Sequence, residues 1–152
     1  MYPINFLLIE LFVIFYTLYI SILFYYKNKV ISLISLIVCV IHVYRFIKYK
    51  DLILNTNYLY EILFFSLLLL TFYITFKTNS IILGGITLGI GYYSSFLIKQ
   101  YQLKNVNFNW LNRNKIIIPF SLYISLYAIS NNHTILFPFI GDVVYHLISS
   151  II

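Results

Sequence analysis

The sequence predicts an all-α fold, a polytopic bundle of about six transmembrane helices. Hydrophobic residues make up 62% of the 152 residues and charged residues only 9%, whereas a soluble domain carries roughly 25% charged residues. The mean hydropathy is +0.92, and apolar runs near the ~20 residues that cross a bilayer follow one another along the chain. Such a chain cannot cover a globular surface with polar groups. We therefore expect a single transmembrane domain over residues 1–152.

The apolar runs define six predicted spans, which short polar or basic segments separate. They cover residues 4–26, 30–47, 52–76, 80–98, 116–130 and 134–152. One long polar connection, KQYQLKNVNFNWLNRNK at residues 99–115, separates the fourth span from the fifth. The first run lacks a basic leader segment and a small-residue cleavage site, so we interpret it as a span and not as a cleaved signal peptide.

The basic residues predict the orientation of the spans. Seven of the ten lie in loops on the side of the N-terminus: Arg45, Lys48, Lys50, Lys99, Lys104, Arg113 and Lys115. The opposite loops carry Lys27, Lys29 and Lys77. Because positive loops stay on the cytoplasmic or equivalent side, both termini are expected there. The polar connection is too small to present a basic face with aromatic platforms, so we expect no nucleic-acid partner.

Several ionisable residues lie within the predicted spans, where an ionised group costs roughly 2.5–3.5 kcal/mol. In NYLYEILFFSLLLL (57–70), Glu61 stands at the head of an apolar run. Counted from Asp51 it lies about ten residues, or some 15 Å, inside its span, and we expect it to hydrogen-bond a polar group of another helix, with His42 as a candidate. Further polar candidates are Glu10, Arg45, Asp142 and His146. Composition alone leaves proton handling, lipid head-group contact and assembly open.

The histidines and the cysteine offer little for metal chemistry. His42 and His146 could hold a haem only if they faced each other at matching depth, and a hydrogen-bonded packing role is the preferred interpretation. His133 is expected in a loop, and Cys39 cannot form an internal disulfide. The sequence has no Cys/His cluster, phosphate-binding loop or nucleophile elbow. We therefore expect no catalytic residue, metal or cofactor of the chain's own.

The fourth span, SIILGGITLGIGYYSSFLI, carries a ridge of glycines. Gly85 and Gly89 are four residues apart and so share a helix face, and Gly84 and Gly91 widen that face. Without side chains, a second helix can approach closely enough for dispersion contacts to hold the pair. We favour helix packing over a pore lining for this ridge.

Two stretches resemble a known family. YEILFF, residues 60–65, resembles the S-E-V-L-F-F motif in the third helix of subunit III of cytochrome c oxidase, and Glu61 matches the glutamate of that motif. KTNSIILGGITLGIGYYSS is similar to the family's N-T-x-x-L-L-x-S-G-x-[ST] helix. In register are Thr78, Ile82, Gly85, Thr87 and Ser94, while Tyr92 and Tyr93 stand where the family has two histidines.

Weaker similarities lie on either side. VYRF resembles the family's W-W-R-D and matches Arg45 to its arginine, and FIGDVVYHLI is similar to T-G-F-H-G-L-H-V-I, matching Gly141 and His146. The chain departs from the family in its shorter linkers, in a fifth span without the Gln and Glu-Tyr pair, and in having six spans instead of seven. DVVY could instead match D-V-V-W of the seventh helix, so the last span is open between the sixth and the seventh.

The resemblance implies a non-catalytic subunit of a haem-copper oxidase in the mitochondrial inner membrane, with no metal of its own. It implies packing on the catalytic subunit and accessory membrane subunits, phospholipid bound between the first two helices and the rest, and support of proton uptake and oxygen access. Glu61, His42 and Arg45 would then serve an intramembrane carboxylate or lipid site. Two alternatives stay open: an accessory scaffold subunit of a respiratory complex, and a small transporter with Glu61, Asp142 and His146 as a relay.

Overall fold

The computed structural model of the chain describes residues 2–49, 53–54, 58–102 and 116–151, and the side chains of residues 10–48, 62, 65–94, 116–148 and 151. Over these ranges the chain is helical apart from short connections, which confirms the all-α prediction. The helices are α1 (Ile4–Phe24), α2 (Lys29–Tyr49), α3 (Tyr58–Thr78), α4 (Ile81–Gln102), α5 (Ile117–Asn131) and α6 (Phe137–Ile151). A short 3-10 turn, Thr134–Leu136, precedes α6.

The chain divides into two compact units, Met1–Tyr58 and Leu59–Ile152. The first unit contains α1 and α2 together with two short extended segments, β1 (Tyr2–Pro3) and β2 (Ile53–Leu54). These segments pair in parallel, with Tyr2 opposite Ile53 and Pro3 opposite Leu54. The second unit contains helices α3 to α6.

In the first unit, α1 and α2 form an antiparallel hairpin with a regular seam. Buried positions recur every three or four residues on both helices: Glu10, Val13, Thr17, Ile20 and Phe24 on α1, and Ile31, Ser35, Val38, His42 and Arg45 on α2. This is the spacing of a coiled-coil interface. At the turn, the Asn28 side chain accepts hydrogen bonds from the N–H groups of Val30 at 3.1 Å and Ile31 at 3.3 Å. It therefore caps the start of α2.

In the second unit, the glycines of α4 lie against two neighbouring helices. A Cβ atom added at Gly85 would lie 2.5 Å from Cβ of Ile140, and one at Gly89 would lie 2.7 Å from Cβ of Val144. Both contacts are closer than real Cβ atoms come, so only glycine permits this approach of α4 to α6. On α3, Leu67 and Thr75 occupy the space in which side chains at Gly91 and Gly84 would lie.

Two connections of the second unit turn through left-handed residues. Asn79, between α3 and α4, has φ 52°, and Asn132, after α5, has φ 54°. Asparagine tolerates this conformation better than most residues and commonly ends helices in it. Across the helices, the Phe72 and Phe137 rings meet edge to face with centroids 4.9 Å apart.

The exposed surface is more apolar than that of a soluble protein, and the interior contains many hydroxyl groups beside its hydrophobic residues. Exposed positions on the helices are largely aliphatic or aromatic, including Phe15, Ile22, Val40, Leu69, Leu126 and Leu147. Buried positions include many hydroxyl residues: Thr17, Ser21, Ser32, Ser35, Thr71, Thr75, Ser121 and Ser125. Most of these hydroxyls bond to backbone carbonyls, as Thr75 does to Thr71 at 2.7 Å and Ser125 to Ser121 at 2.6 Å.

Among the residues with described side chains, one helix, Lys29–Lys48, is long and apolar enough to cross a membrane by length and composition. Shorter apolar helical segments lie at Glu10–Phe24, Phe65–Thr78, Ile81–Ser94, Ile117–Asn131 and Thr134–Ile148. One such helix is weak support for six crossings, and the polytopic arrangement stays a prediction.

The third helix begins later than the sequence predicts. The predicted span starts at residue 52, whereas in the structure Ile53–Leu54 is extended and α3 starts at Tyr58. The intervening Asn55-Thr56-Asn57 favours this, because such side chains bond to nearby backbone groups in competition with a helix. Glu61 is therefore the fourth residue of α3, about 5 Å from the start of the helix at 1.5 Å per residue instead of the expected 15 Å.

Candidate functional site

A cluster of three ionisable side chains lies inside the α1–α2 hairpin. Glu10 of α1 forms an ion pair with Arg45 of α2, with 2.8 Å between Oε1 and a guanidinium nitrogen. Its second oxygen, Oε2, contacts Nδ1 of His42, one turn earlier on α2. Glu10 is 2% exposed, His42 7% and Arg45 8%. All three are thus removed from solvent together.

The hairpin register explains why these residues meet. Ser21 and Ser32 exchange hydrogen bonds, each hydroxyl donating to the other residue's carbonyl at 3.0 and 2.6 Å. Farther from the turn, the Cys39 thiol donates to the Ile14 carbonyl at 3.5 Å. Continuing in the same register from the turn brings Glu10 opposite His42 and Arg45.

The protonation pattern of the cluster follows from its partners. Arginine stays charged at any accessible pH, and its fork of N–H donors matches a carboxylate. An ionised carboxylate can only accept hydrogen bonds, so Nδ1 of His42 carries the hydrogen in its contact with Glu10. The Glu10 carboxylate and the Arg45 guanidinium form a buried pair of opposite charges.

The cluster fixes the register of α1 against α2, because both carboxylate oxygens of Glu10 on α1 have partners on α2. The contacts within the hairpin satisfy Glu10 without any group from outside the first unit.

The structure bears on some of the predicted site residues and not on others. It brings together His42 and Arg45, and it adds Glu10, which the sequence analysis gave only as a further polar candidate. The side chain of Glu61 lies outside the described residues, so its hydrogen bond to another helix stays a prediction. The pairing of Glu10 with Arg45 could have been predicted from the sequence, because the two residues lie at similar distances on either side of the hairpin turn.

A second group of polar side chains lies where α4 meets α6. The rings of Tyr92 and Tyr145 approach edge to face at 6.3 Å, and the Tyr145 ring contacts that of His146 at 5.2 Å. Asp142 and His146 are half-buried in the second unit and make further interactions. His133 lies at the start of the 3-10 turn, stacked on Tyr127 with centroids 5.6 Å apart.

Within the part of the chain that is described, no group of three or more His, Cys, Asp or Glu side chains is placed to hold a metal ion. His42 is hydrogen-bonded to Glu10 within the hairpin, which agrees with the hydrogen-bonded packing role preferred for it from the sequence.

Comparisons of the chain with protein-family models, with curated proteins and with solved structures find no match.

Proposed function

We propose that this chain is a non-catalytic membrane subunit of a haem-copper cytochrome c oxidase, located in the mitochondrial inner membrane. It would pack on the catalytic subunit and accessory membrane subunits, bind phospholipid, and support proton uptake and oxygen access. The proposal rests on the resemblance of residues 60–65 and 77–95 to subunit III of that enzyme, together with the features of the fold given next.

Passage through a membrane is supported by helix length and by polarity. Helices α1 to α3 have 21 residues each and α4 has 22, which corresponds to about 32 Å at 1.5 Å per residue. A hydrocarbon core is about 30 Å thick. The exposed Ser66 hydroxyl donates to its own helix, at 2.8 Å from the Ile62 carbonyl. Such bonding suits a hydroxyl that has lipid and not water around it.

The observation that carries the oxidase proposal is the division of the chain. The resemblance implies that the first two helices separate from the remainder, with phospholipid associated with that division. The chain divides after Tyr58, with α1 and α2 in one unit and α3 to α6 in the other. The same resemblance makes the residue at position 61 the family's glutamate, which places it on the first helix of the larger unit.

An accessory scaffold subunit of a respiratory complex is the second candidate, and the acids favour it over a transporter. A scaffold would place its acids at helix ends or subunit contacts, whereas a transporter should expose them to a continuous watery path. Glu61 stands in the first turn of α3, and Glu10 is buried in ion-paired contact with its own hairpin. No comparable observation supports the transporter alternative, in which Glu61, Asp142 and His146 would form a proton relay.

The two candidates differ in the partner that they require. The test is to tag the chain, extract it in mild detergent, and record both the co-purifying proteins and the reduced-minus-oxidised haem spectrum. We expect the catalytic oxidase subunit and its haem absorbance in constant proportion to the chain. Association with another respiratory complex would favour the scaffold. A stable homo-oligomer that transports ions by itself would overturn both.

A further inference from the structure

The turn of the first hairpin, residues 25–29 with sequence YYKNK, is exposed, aromatic and basic, and is named the basic turn below. Tyr26 is 92% exposed, Tyr25 is also exposed, and their rings meet edge to face at 4.9 Å. Lys27 and Lys29 are exposed on either side of Asn28. In this unit the acid with a described side chain, Glu10, is engaged by Arg45 and His42. The two lysines of the turn are therefore not balanced by it.

Internal hydrogen bonds fix the backbone of the basic turn. The Asn28 N–H donates to the Phe24 carbonyl at 2.9 Å, and the Ser32 N–H donates to the Asn28 carbonyl at 3.1 Å. The Asn28 side chain accepts from the N–H groups of Val30 and Ile31 in the first turn of α2. An anion at this turn would therefore meet chiefly lysine ammonium groups and tyrosine hydroxyls.

The opposite end of α2 repeats the combination of tyrosine and lysine. Tyr44 is 64% exposed, and Lys48, also exposed, lies over its ring at 6.0 Å from the centroid. Between the two ends, α2 exposes an apolar surface: Val30, Leu33, Leu36, Val40, Val43 and Ile47. From Lys29 to Lys48 the helix rises about 28 Å at 1.5 Å per residue, close to the ~30 Å of a hydrocarbon core.

We propose that the basic turn binds the phosphate groups of anionic phospholipids, while Tyr44 and Lys48 lie at the head groups of the opposite leaflet. Tyrosine prefers this depth, with its ring in the interface and its hydroxyl toward water, and lysine extends its charged end to the head groups along an apolar stem. Two lysines separated by one residue carry more positive charge than a zwitterionic head group neutralises, which selects for lipids with net negative charge. This inference rests on the proposed membrane location, but it does not depend on which complex the chain joins.

Photo-crosslinking in native membranes tests the proposal on the full chain. Phosphatidylglycerol and phosphatidylcholine, each carrying a photoreactive group near the head group, are supplied at equal mole fraction, and the crosslinked residues are mapped by mass spectrometry. We expect phosphatidylglycerol to crosslink to the basic turn roughly fivefold more than phosphatidylcholine, given the attraction of a surface lysine for an anionic leaflet. Raising the salt concentration should reduce this preference in the wild-type chain.

Variants separate lipid binding from a structural role. Lys27→Gln combined with Lys29→Gln should bring the phosphatidylglycerol preference close to one while the chain still accumulates. The matched control is Lys77→Gln, since Lys77 is exposed in the second unit, donates to Tyr73 at 3.0 Å and lies outside the turn. Equal crosslinking by both lipids in the wild-type chain, or an undiminished preference in the double variant, would overturn the proposal. Either result would leave co-purification with the oxidase unaffected, so failure of the lipid site and failure of the proposed function can be told apart.

Discussion

Glu10 is the residue on which the charge balance of the first hairpin depends. It is the shared acceptor of Arg45 and His42, and all three side chains are buried. Removing one partner of a buried ion pair leaves the other charge without compensation, which costs about 3–5 kcal/mol, whereas replacing both partners with apolar residues is often neutral. The cluster therefore predicts a large difference between single and double substitution.

We expect Glu10→Gln to lower the thermal stability of the chain strongly, because Arg45 remains charged in the seam. The double variant Glu10→Leu with Arg45→Met should recover most of the loss. The measurement is the temperature of half-aggregation in mild detergent, with Lys77→Gln as an exposed control that changes little. Equal stability of Glu10→Gln and the wild type would show that Arg45 finds water in the folded chain.

Glu61 carries a different expectation, because it stands in the first turn of α3. Negative charge is favoured at this end of a helix, so its position does not demand a fully buried partner. Following the hydrogen-bonding role expected from the sequence, Glu61→Gln should keep assembly and leave oxygen reduction by the associated oxidase largely intact, while Glu61→Leu should weaken assembly. Yield of the purified complex and its oxygen consumption are the measurements. Loss of oxygen reduction in Glu61→Gln at normal yield would contradict a non-catalytic role.

At the scale of the helices, the sequence predicted what depends on composition and missed what depends on pairing. The all-α class follows from apolar runs with few charges. The late start of α3 accompanies the pairing of Ile53 and Leu54 with β1, a contact between residues far apart in sequence; the Asn55-Thr56-Asn57 stretch that favours it is a local signal that the predicted span did not use. The Glu10 cluster likewise depends on the register of two helices, and a regular seam such as 10, 13, 17, 20 and 24 could have indicated it.

The glycine face of α4 gives the prediction at this scale. Gly85→Leu should collide with Ile140, whose Cβ would lie 2.5 Å from a Cβ at position 85. Because overpacking costs about 1–3 kcal/mol, we expect a lower yield of folded chain and of its complex. Both are measured by size-exclusion chromatography in mild detergent.

Ile82 and Ile86 provide the control on the same helix, since they are 50% and 40% exposed. Substituting either with leucine should have little effect, unless that face meets another subunit. Normal assembly of Gly85→Leu would mean that α4 and α6 can move apart at this point, and that Gly85 is not required for their packing.

At the scale of the whole molecule, the distribution of polar groups points to an apolar solvent. Most hydroxyls inside the units bond to backbone carbonyls, and many of the exposed side chains are large and apolar. In water such exposed apolar area would promote aggregation. In a bilayer, the same area faces acyl chains, and the buried polar groups supply the contacts between helices. If the helices cross a membrane, each loop residue is accessible to water from one face of the membrane only.

The last prediction concerns the sides of the membrane. In a background of Cys39→Ser, single cysteines are placed at Tyr26, Thr78 and Asn131, which are exposed near the ends of α1, α3 and α5, and at Asn107 in the polar connection. Six crossings place the first three on one side and position 107 on the other, the side that carries seven of the ten basic residues. A thiol reagent that cannot cross membranes should therefore label the first three sites from one face of sealed vesicles and position 107 from the opposite face. Labelling of positions 26 and 78 from opposite faces would remove one crossing from the first three helices, and labelling of all four sites from one face would exclude the six-span arrangement.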